Sequence, residues 1–132
     1  MKAYTDIGQS KKLTEFLPLE SADMTYRPIM DIDTMSNTGF LDTPDCYPFD
    51  EYSKNSSIKP LPCWSLVALF NVLPKDIEGS RLRIDIDNFD FSIWYDDLKG
   101  YGVNDELPDI ISKEPVDACV SMIEKLHELK IL

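Results

Sequence analysis

RLRIDIDNFDFSIWYD, residues 81–96, decides the fold. Leu82, Ile84 and Ile86 alternate with Arg81, Arg83, Asp85 and Asp87, and then Phe89, Phe91, Ile93 and Tyr95 alternate with Asp90, Ser92 and Trp94. A period of two sends successive side chains to opposite faces of an extended strand. The pattern therefore predicts a β-hairpin over about 81–95, apolar on one face and polar on the other. Asp87 and Asn88 both tolerate positive φ and suit a two-residue loop. That loop pairs Ile86 with Phe89, Ile84 with Phe91 and Leu82 with Ile93, so every apolar side chain lands on one face. On the polar face it sets Asp85 directly against Asp90, with Asp87 at the turn, and Trp94 opposite Arg81, where a cation–π contact accounts for both.

Such a face must be covered, and the flanking sequence offers the cover. From Pro115, a good first helical residue, to about Leu129, the residues Val116, Cys119, Val120, Ile123 and Leu126 recur at the spacing of a single buried helical stripe. PLPCWSLVALFNVLP, residues 60–74, predicts a short helix from Leu66 to Leu73, capped by Ser65 and stopped by Pro74. Only Asn71 interrupts its apolar surface. Two turns of helix cannot stand alone in water, so Leu66, Leu69, Phe70 and Leu73 are expected to be buried, the helix held by apolar contacts on several sides. A first helix, capped by Thr5 or Asp6, should run to about Leu17 with Leu13, Phe16 and Leu17 on its apolar edge. ADMTYRPIMDI, residues 22–32, reads as a strand broken at Pro28, which has no N–H for a ladder. Residues 33–60 and 96–114 read as irregular, apart from a brief strand around Phe40 and Leu41. The expected architecture is α+β: residues 1–132 as one domain, with a small antiparallel sheet packed on one face by two or three helices.

Charge limits the function. With 24 acidic residues against 13 basic, the formal net charge is −11, which argues against binding nucleic acid by phosphate neutralisation and against an anionic membrane. From Ile84 to Asp109 eight acids face one base, Lys99, so an interaction surface there would select a cationic partner. No apolar run reaches the roughly 20 residues of a membrane span, and the first twelve residues carry no secretory signal. A cytoplasmic protein with reduced thiols is expected, because Cys46, Cys63 and Cys119 are odd in number and widely spaced.

Catalytic motifs are sparse. His127 is the single histidine and falls at the edge of the last helix's stripe, where a boundary position explains it. One histidine and three scattered cysteines do not form a zinc pattern. No phosphate-binding glycine motif is present. DIDNFD from Asp85 and DIDTMSN from Asp31 evoke a calcium loop, yet each places an apolar residue, Phe89 or Met35, where a fifth-position ligand is required. No catalytic residue, metal ligand or cofactor is therefore assigned. Trp64, Trp94, Tyr95, Tyr101, Tyr47 and Tyr52 leave a stacking platform open as an alternative.

TDIGQSKKLTEFLPLESADMTY, PCWSLVALFNVLP and EPVDACVSMIEKLHELKIL resemble segments of a group of small uncharacterised proteins from prophages and mobile elements of anaerobic gut bacteria. These segments cover somewhat under half of the chain, and the Pro-x-Trp-Ser-Leu opening is the most specific. The group usually has a glutamate where this chain has Gly8, which would complete a capping box with Thr5. The resemblance implies a bacterial cytosolic accessory protein and supplies no activity.

Two functions follow from these residues. One is a non-enzymatic interaction protein whose acidic surface, Asp85, Asp87, Asp90, Asp96 and Asp97, meets a basic protein partner. The other is a small-molecule binder or carboxylate-based hydrolase with a pocket between the sheet and its loops.

Overall fold

The structure, a computed structural model, describes residues 1–34, 36–46, 60–97 and 107–132. These form two compact units, Tyr4–Ala68, and Met1–Ala3 together with Leu69–Leu132. The α+β class expected from the sequence holds, and its sheets are antiparallel throughout.

In the first unit, helix α1 (Ile7–Thr14) leads through a 3₁₀ turn (Leu19–Ser21) to strands β1 (Met24–Tyr26), β2 (Pro28–Asp31), β3 (Ser36–Phe40) and β4 (Leu61–Cys63). Asp6, not Thr5, caps α1. Its carboxylate accepts from the Gln9 amide at 2.7 Å while the Gln9 side chain accepts from the Asp6 amide at 3.1 Å. A capping box thus exists without any acid at Gly8, displaced by one residue. The helix stops at Thr14, short of the expected Leu17. β1 pairs with β4, and β2 with β3, in two separate ribbons. The break between β1 and β2 falls at Arg27, just before Pro28, as the missing N–H requires. The brief strand expected around Phe40 and Leu41 is β3, which begins four residues earlier, at Ser36, and ends at Phe40. α1 packs on β4, and Leu13, Tyr26, Leu61, Cys63 and Trp64 are buried.

Helix α2 (Leu66–Val72) contains the division between the units. Ser65 caps it, its hydroxyl accepting from the Ala68 amide at 3.2 Å, as expected. The expectation of an all-round buried helix fails. Leu69 and Leu73 are buried, but Leu66 and Phe70 are only half-buried and Val67 is 66% exposed.

The second unit holds the four-stranded sheet, in the order β5 (Asp76–Ile77), β6 (Ser80–Ile86), β7 (Phe91–Asp97) and β8 (Ile110–Ser112). Helix α3 (Pro115–Glu128) covers β7 and β8. Its stripe residues Val116, Cys119, Val120, Ile123 and Leu126 are all buried, as are Phe91, Ile93 and Tyr95 beneath them. Lys2 fastens the N-terminal residues to the start of α3. Its amide donates to Glu114 and its ammonium to Asp117, each at 2.8 Å. β8 lies in a stretch read from sequence as irregular. Three residues, Ile110–Ser112, are too short to show a period.

The hairpin exists with its register displaced. Ile86 pairs with Phe91, Ile84 with Ile93 and Leu82 with Tyr95, two residues from the expected pairing. Asn88 and Phe89 form the loop instead of Asp87 and Asn88, because the Asp87 carboxylate accepts from the amides of Phe89 (2.9 Å) and Asp90 (2.7 Å). That local bonding closes the turn one residue later. A shift of two preserves parity, so the apolar side chains still share one face. The positive φ expected at Asp87-Asn88 occurs instead in the preceding connection, at Glu78 (50°) and Gly79 (88°) between β5 and β6. These two residues make the tight turn in which both central positions need the left-handed region.

Candidate protein-interaction surface

The displaced register redistributes the five aspartates. Asp85 faces Ser92, not Asp90, so the like-charge pair expected between them does not form. Asp87 and Asp90 flank the loop, joined by the Asp87 amide donating to the Asp90 carbonyl at 3.0 Å. The two backbone N–H groups, first that of Phe89 and then that of Asp90, hold the Asp87 carboxyl below the usual carboxylate range. Asp96 stands opposite Arg81, with its carboxylate 3.8 Å from the Arg83 guanidinium. Asp97 is opposite Ser80 at the far end of β7. From Ile86 to the Arg81–Asp96 pair is five residues, or roughly 17 Å of strand. Three of the acids, Asp85, Asp87 and Asp90, therefore lie near the tip, and Asp96, close to Arg83, lies toward the base, where Asp97 ends β7. Trp94 stands opposite Arg83, not Arg81.

Beside the tip acids is a feature that alternation alone does not reveal. Ile84, Ile86 and Phe89 are 40%, 73% and 80% exposed. Ile84 and Ile86 share the apolar face with Ile93 and Phe91, yet α3 covers β7 and β8 and leaves the β6 side of this face open. The sequence signal for this was the shortness of the run before Glu78-Gly79. β5 has only two residues, pairing with Ser80 and Arg81, and so cannot shield the rest of β6.

A pocket of about 380 Å³ opens between Phe70, Lys75, Arg81, Leu82 and Ile84. No carboxylate lines it, so it does not supply the chemistry of the hydrolase reading. Its lysine is committed to the end of α2, where the ammonium donates to the carbonyls of Phe70 and Leu73.

The other chemically notable group lies in the first unit. Thr5, Ser10, Tyr26 and Cys63 meet in a buried polar cluster. The Thr5 and Ser10 hydroxyls are 2.8 Å apart, the Tyr26 hydroxyl donates to the Thr5 carbonyl at 2.7 Å, and the Trp64 amide donates to the Thr5 hydroxyl at 3.2 Å. Burial pushes the Cys63 thiol and the Tyr26 hydroxyl up. A fully buried thiol that burial keeps protonated is a structural group. The Thr5 hydroxyl also fixes the start of α1, which explains why Thr5 is buried and Asp6 takes the cap.

Trp64 and Tyr95 are fully buried, so neither belongs to a stacking platform. The Trp64 indole donates to Ser21 at 2.9 Å and the Tyr95 hydroxyl to the Pro74 carbonyl at 2.7 Å. Tyr47, Tyr52 and Tyr101 lie outside the described residues. His127 is exposed, its Nδ1 2.9 Å from the Leu132 carbonyl. No disulfide joins the cysteines: Cys46 is exposed, Cys63 and Cys119 buried. Among the described residues no three His, Cys, Asp or Glu side chains are grouped to hold a metal, and no helix is long and apolar enough to cross a membrane.

No protein-family model, curated protein or solved structure matches the chain.

Proposed function

We propose that the protein is a non-enzymatic interaction module, an accessory protein of a bacterial mobile element working in the cytoplasm, whose β6–β7 hairpin binds a basic protein. The observation that carries this reading is the occurrence of exposed isoleucines and acids together on one hairpin. Ile84, Ile86 and Phe89 present apolar surface, and Asp85, Asp87 and Asp90 place negative charge at the same end of the hairpin. Apolar contact supplies affinity, while charge speeds and orients encounter with a cationic partner and repels nucleic acid. The net charge of −11 acts in the same direction over longer range.

A 15-residue polylysine serves as the cationic probe, with backbone amide shifts of the protein as the readout. The expected result is a set of shift changes centred on residues 83–96. Binding should weaken at least tenfold when Asp85, Asp87, Asp90 and Asp96 are all replaced by asparagine, which keeps the Asp87 turn acceptor. Shift changes spread evenly over the chain, or unchanged binding by the quadruple variant, would overturn the reading.

A further inference from the structure

The hairpin's outer backbone points to a specific mode of binding. In an antiparallel ladder, residues alternate between directing N–H and C=O toward one neighbour and toward the other. Two hydrogen bonds set the phase for β6. The Asp87 amide donates toward β7, to the Asp90 carbonyl, and the Leu82 amide donates away from β7, to the Lys75 carbonyl. Asp85 and Arg83 therefore share the orientation of Asp87, whereas Ile84 and Ile86 share that of Leu82. Beyond Leu82 no described strand lies on that side, since β5 pairs only with Ser80 and Arg81. The N–H and C=O of Ile84 and of Ile86 thus face outward along an edge that no described residue pairs, beside exposed side chains of the same two residues.

An edge of this kind is usually blunted by a charge or proline at the outward positions. Here those positions carry isoleucine. We propose that the outer edge of β6, Arg83–Ile86, accepts an extended segment of a basic protein as an added strand, with alternate apolar residues meeting Ile84 and Ile86 and Lys or Arg set against Asp85 and Asp87. This rests on the reading of the hairpin as a surface for a basic partner and names how that partner is held: main-chain bonds to Ile84 and Ile86, with the side-chain alternation selecting the sequence.

Charge also decides against a second copy of this chain as the occupant. Pairing the edge with itself antiparallel, with Ile84 opposite Ile84, would bring the second copy's Ile86 to Leu82, where Lys75 already sits. The register that spares Lys75 sets Ile84 opposite Ile86 and places Asp85 directly against its own copy, between two chains of charge −11 each. A basic residue at that position turns the same contact into an attractive one.

The test uses the full chain and the peptide KVKIKVK, with three relatives: EVEIEVE, a KVKIKVK methylated at the central backbone amides, and the 15-residue polylysine. KVKIKVK should bind, and hydrogen exchange at the Ile84 and Ile86 amides should slow at least tenfold. N-methylation, which leaves charge and side chains intact, should weaken binding at least tenfold, and EVEIEVE should not bind. Ile86→Pro removes an outward donor without touching the β6–β7 ladder, so the variant should fold and lose binding by a similar factor. Equal binding by the methylated peptide, or unchanged exchange at Ile84 and Ile86, overturns strand addition. In that case polylysine binding that still maps to residues 83–96 leaves the acidic-surface reading standing. Failure of every cationic peptide to bind overturns both, and a free protein that is already a dimer closed through this edge overturns the choice of occupant.

Discussion

Strands β6 and β7 carry the same alternation, pair residue for residue and direct their apolar side chains to the same face, yet only one is covered. Phe91, Ile93 and Tyr95 are 2%, 0% and 0% exposed, while Ile84 and Ile86 opposite them are 40% and 73% exposed. The difference lies in what packs on each strand. α3 crosses β7 and β8, with its five-residue stripe matched to them, and the half-buried Phe70 ring reaches Phe91 with centroids 6.4 Å apart. Periodicity identifies which face of a strand is apolar. It does not say whether that face has a neighbour, because the neighbour is set by sheet order and helix placement.

The largest expected effect breaks the two strands apart energetically. Ile93→Ala should cost about 2–5 kcal/mol, as for a fully buried isoleucine, and Ile84→Ala less than about 1 kcal/mol. Chemical denaturation of the two variants checks this. Equal losses would mean that something covers β6 as closely as α3 covers β7, and the edge would not be available to a partner.

A second contrast is in response to alkali. Burial pushes the Cys119 thiol from 9.0 up to about 12 and raises the Tyr95 hydroxyl above its ordinary 10.0. In this window the folded chain keeps protons that the unfolded chain releases, so the folded state binds more protons and loses stability as pH rises. The Cys119 contribution is intact below about pH 9 and falls away toward pH 12, by roughly 1.4 kcal/mol per pH unit at its steepest. Tyr95 adds to the loss only above pH 10. Denaturant unfolding at pH 8, 9.5 and 10.5 should therefore show a decline that Cys119→Ala reduces from pH 9 upward and Tyr95→Phe reduces only in the last interval. A slope unchanged by Cys119→Ala would remove the thiol from the account.

Thiol labelling sharpens the comparison without unfolding. Cys46 should react quickly with a thiol reagent, and Cys63 and Cys119, each 0% exposed and each with a raised thiol pKa, should react only as the chain opens. Three fast thiols would mean that neither core is closed.

Elements were legible in the sequence where side-chain period and cover came from the same few residues. The α3 stripe from Val116 to Leu126 and the two faces of the hairpin could be read because each is long enough to repeat. β8 and β5 could not, since two or three residues contain no period. Residue type places positive φ at Asp87-Asn88 and so sets the expected register two residues from the observed one, whereas the Asp87 carboxylate accepts from two amides and forms the turn with ordinary backbone angles. Residue type alone makes both Thr5 and Asp6 candidates for the cap of α1, and Asp6 is the one that takes it. The Thr5 hydroxyl instead lies buried against Ser10 and accepts from the Trp64 amide, a partner far away in sequence. For the surface, the acids were visible from composition, but their division into tip and base required the register. The exposure of Ile84 and Ile86 required knowing that α3 stops short of β6.

The smallest effect tests the corrected register itself. Had Asp85 faced Asp90, replacing both by asparagine would relieve a cross-strand repulsion and stabilise the protein by up to about 1 kcal/mol. In the observed register Asp85 faces Ser92, so Asp85→Asn relieves no cross-strand repulsion. Asp90 faces Asp87 across the loop, where its amide already satisfies the Asp87 carboxylate through the backbone, and Asp90→Asn leaves that amide in place. Each single variant, and the pair together, should therefore fall within about ±0.5 kcal/mol of the parent, the range of ordinary surface substitutions, and the two effects should add. A clear stabilisation by the pair exceeding the sum of its parts would require the two carboxylates to interact, and would restore the register with a two-residue Asp87-Asn88 loop. Additive, near-zero changes in stability, together with weaker peptide binding, are the result expected if Asp85 and Asp90 meet a partner and do not face each other.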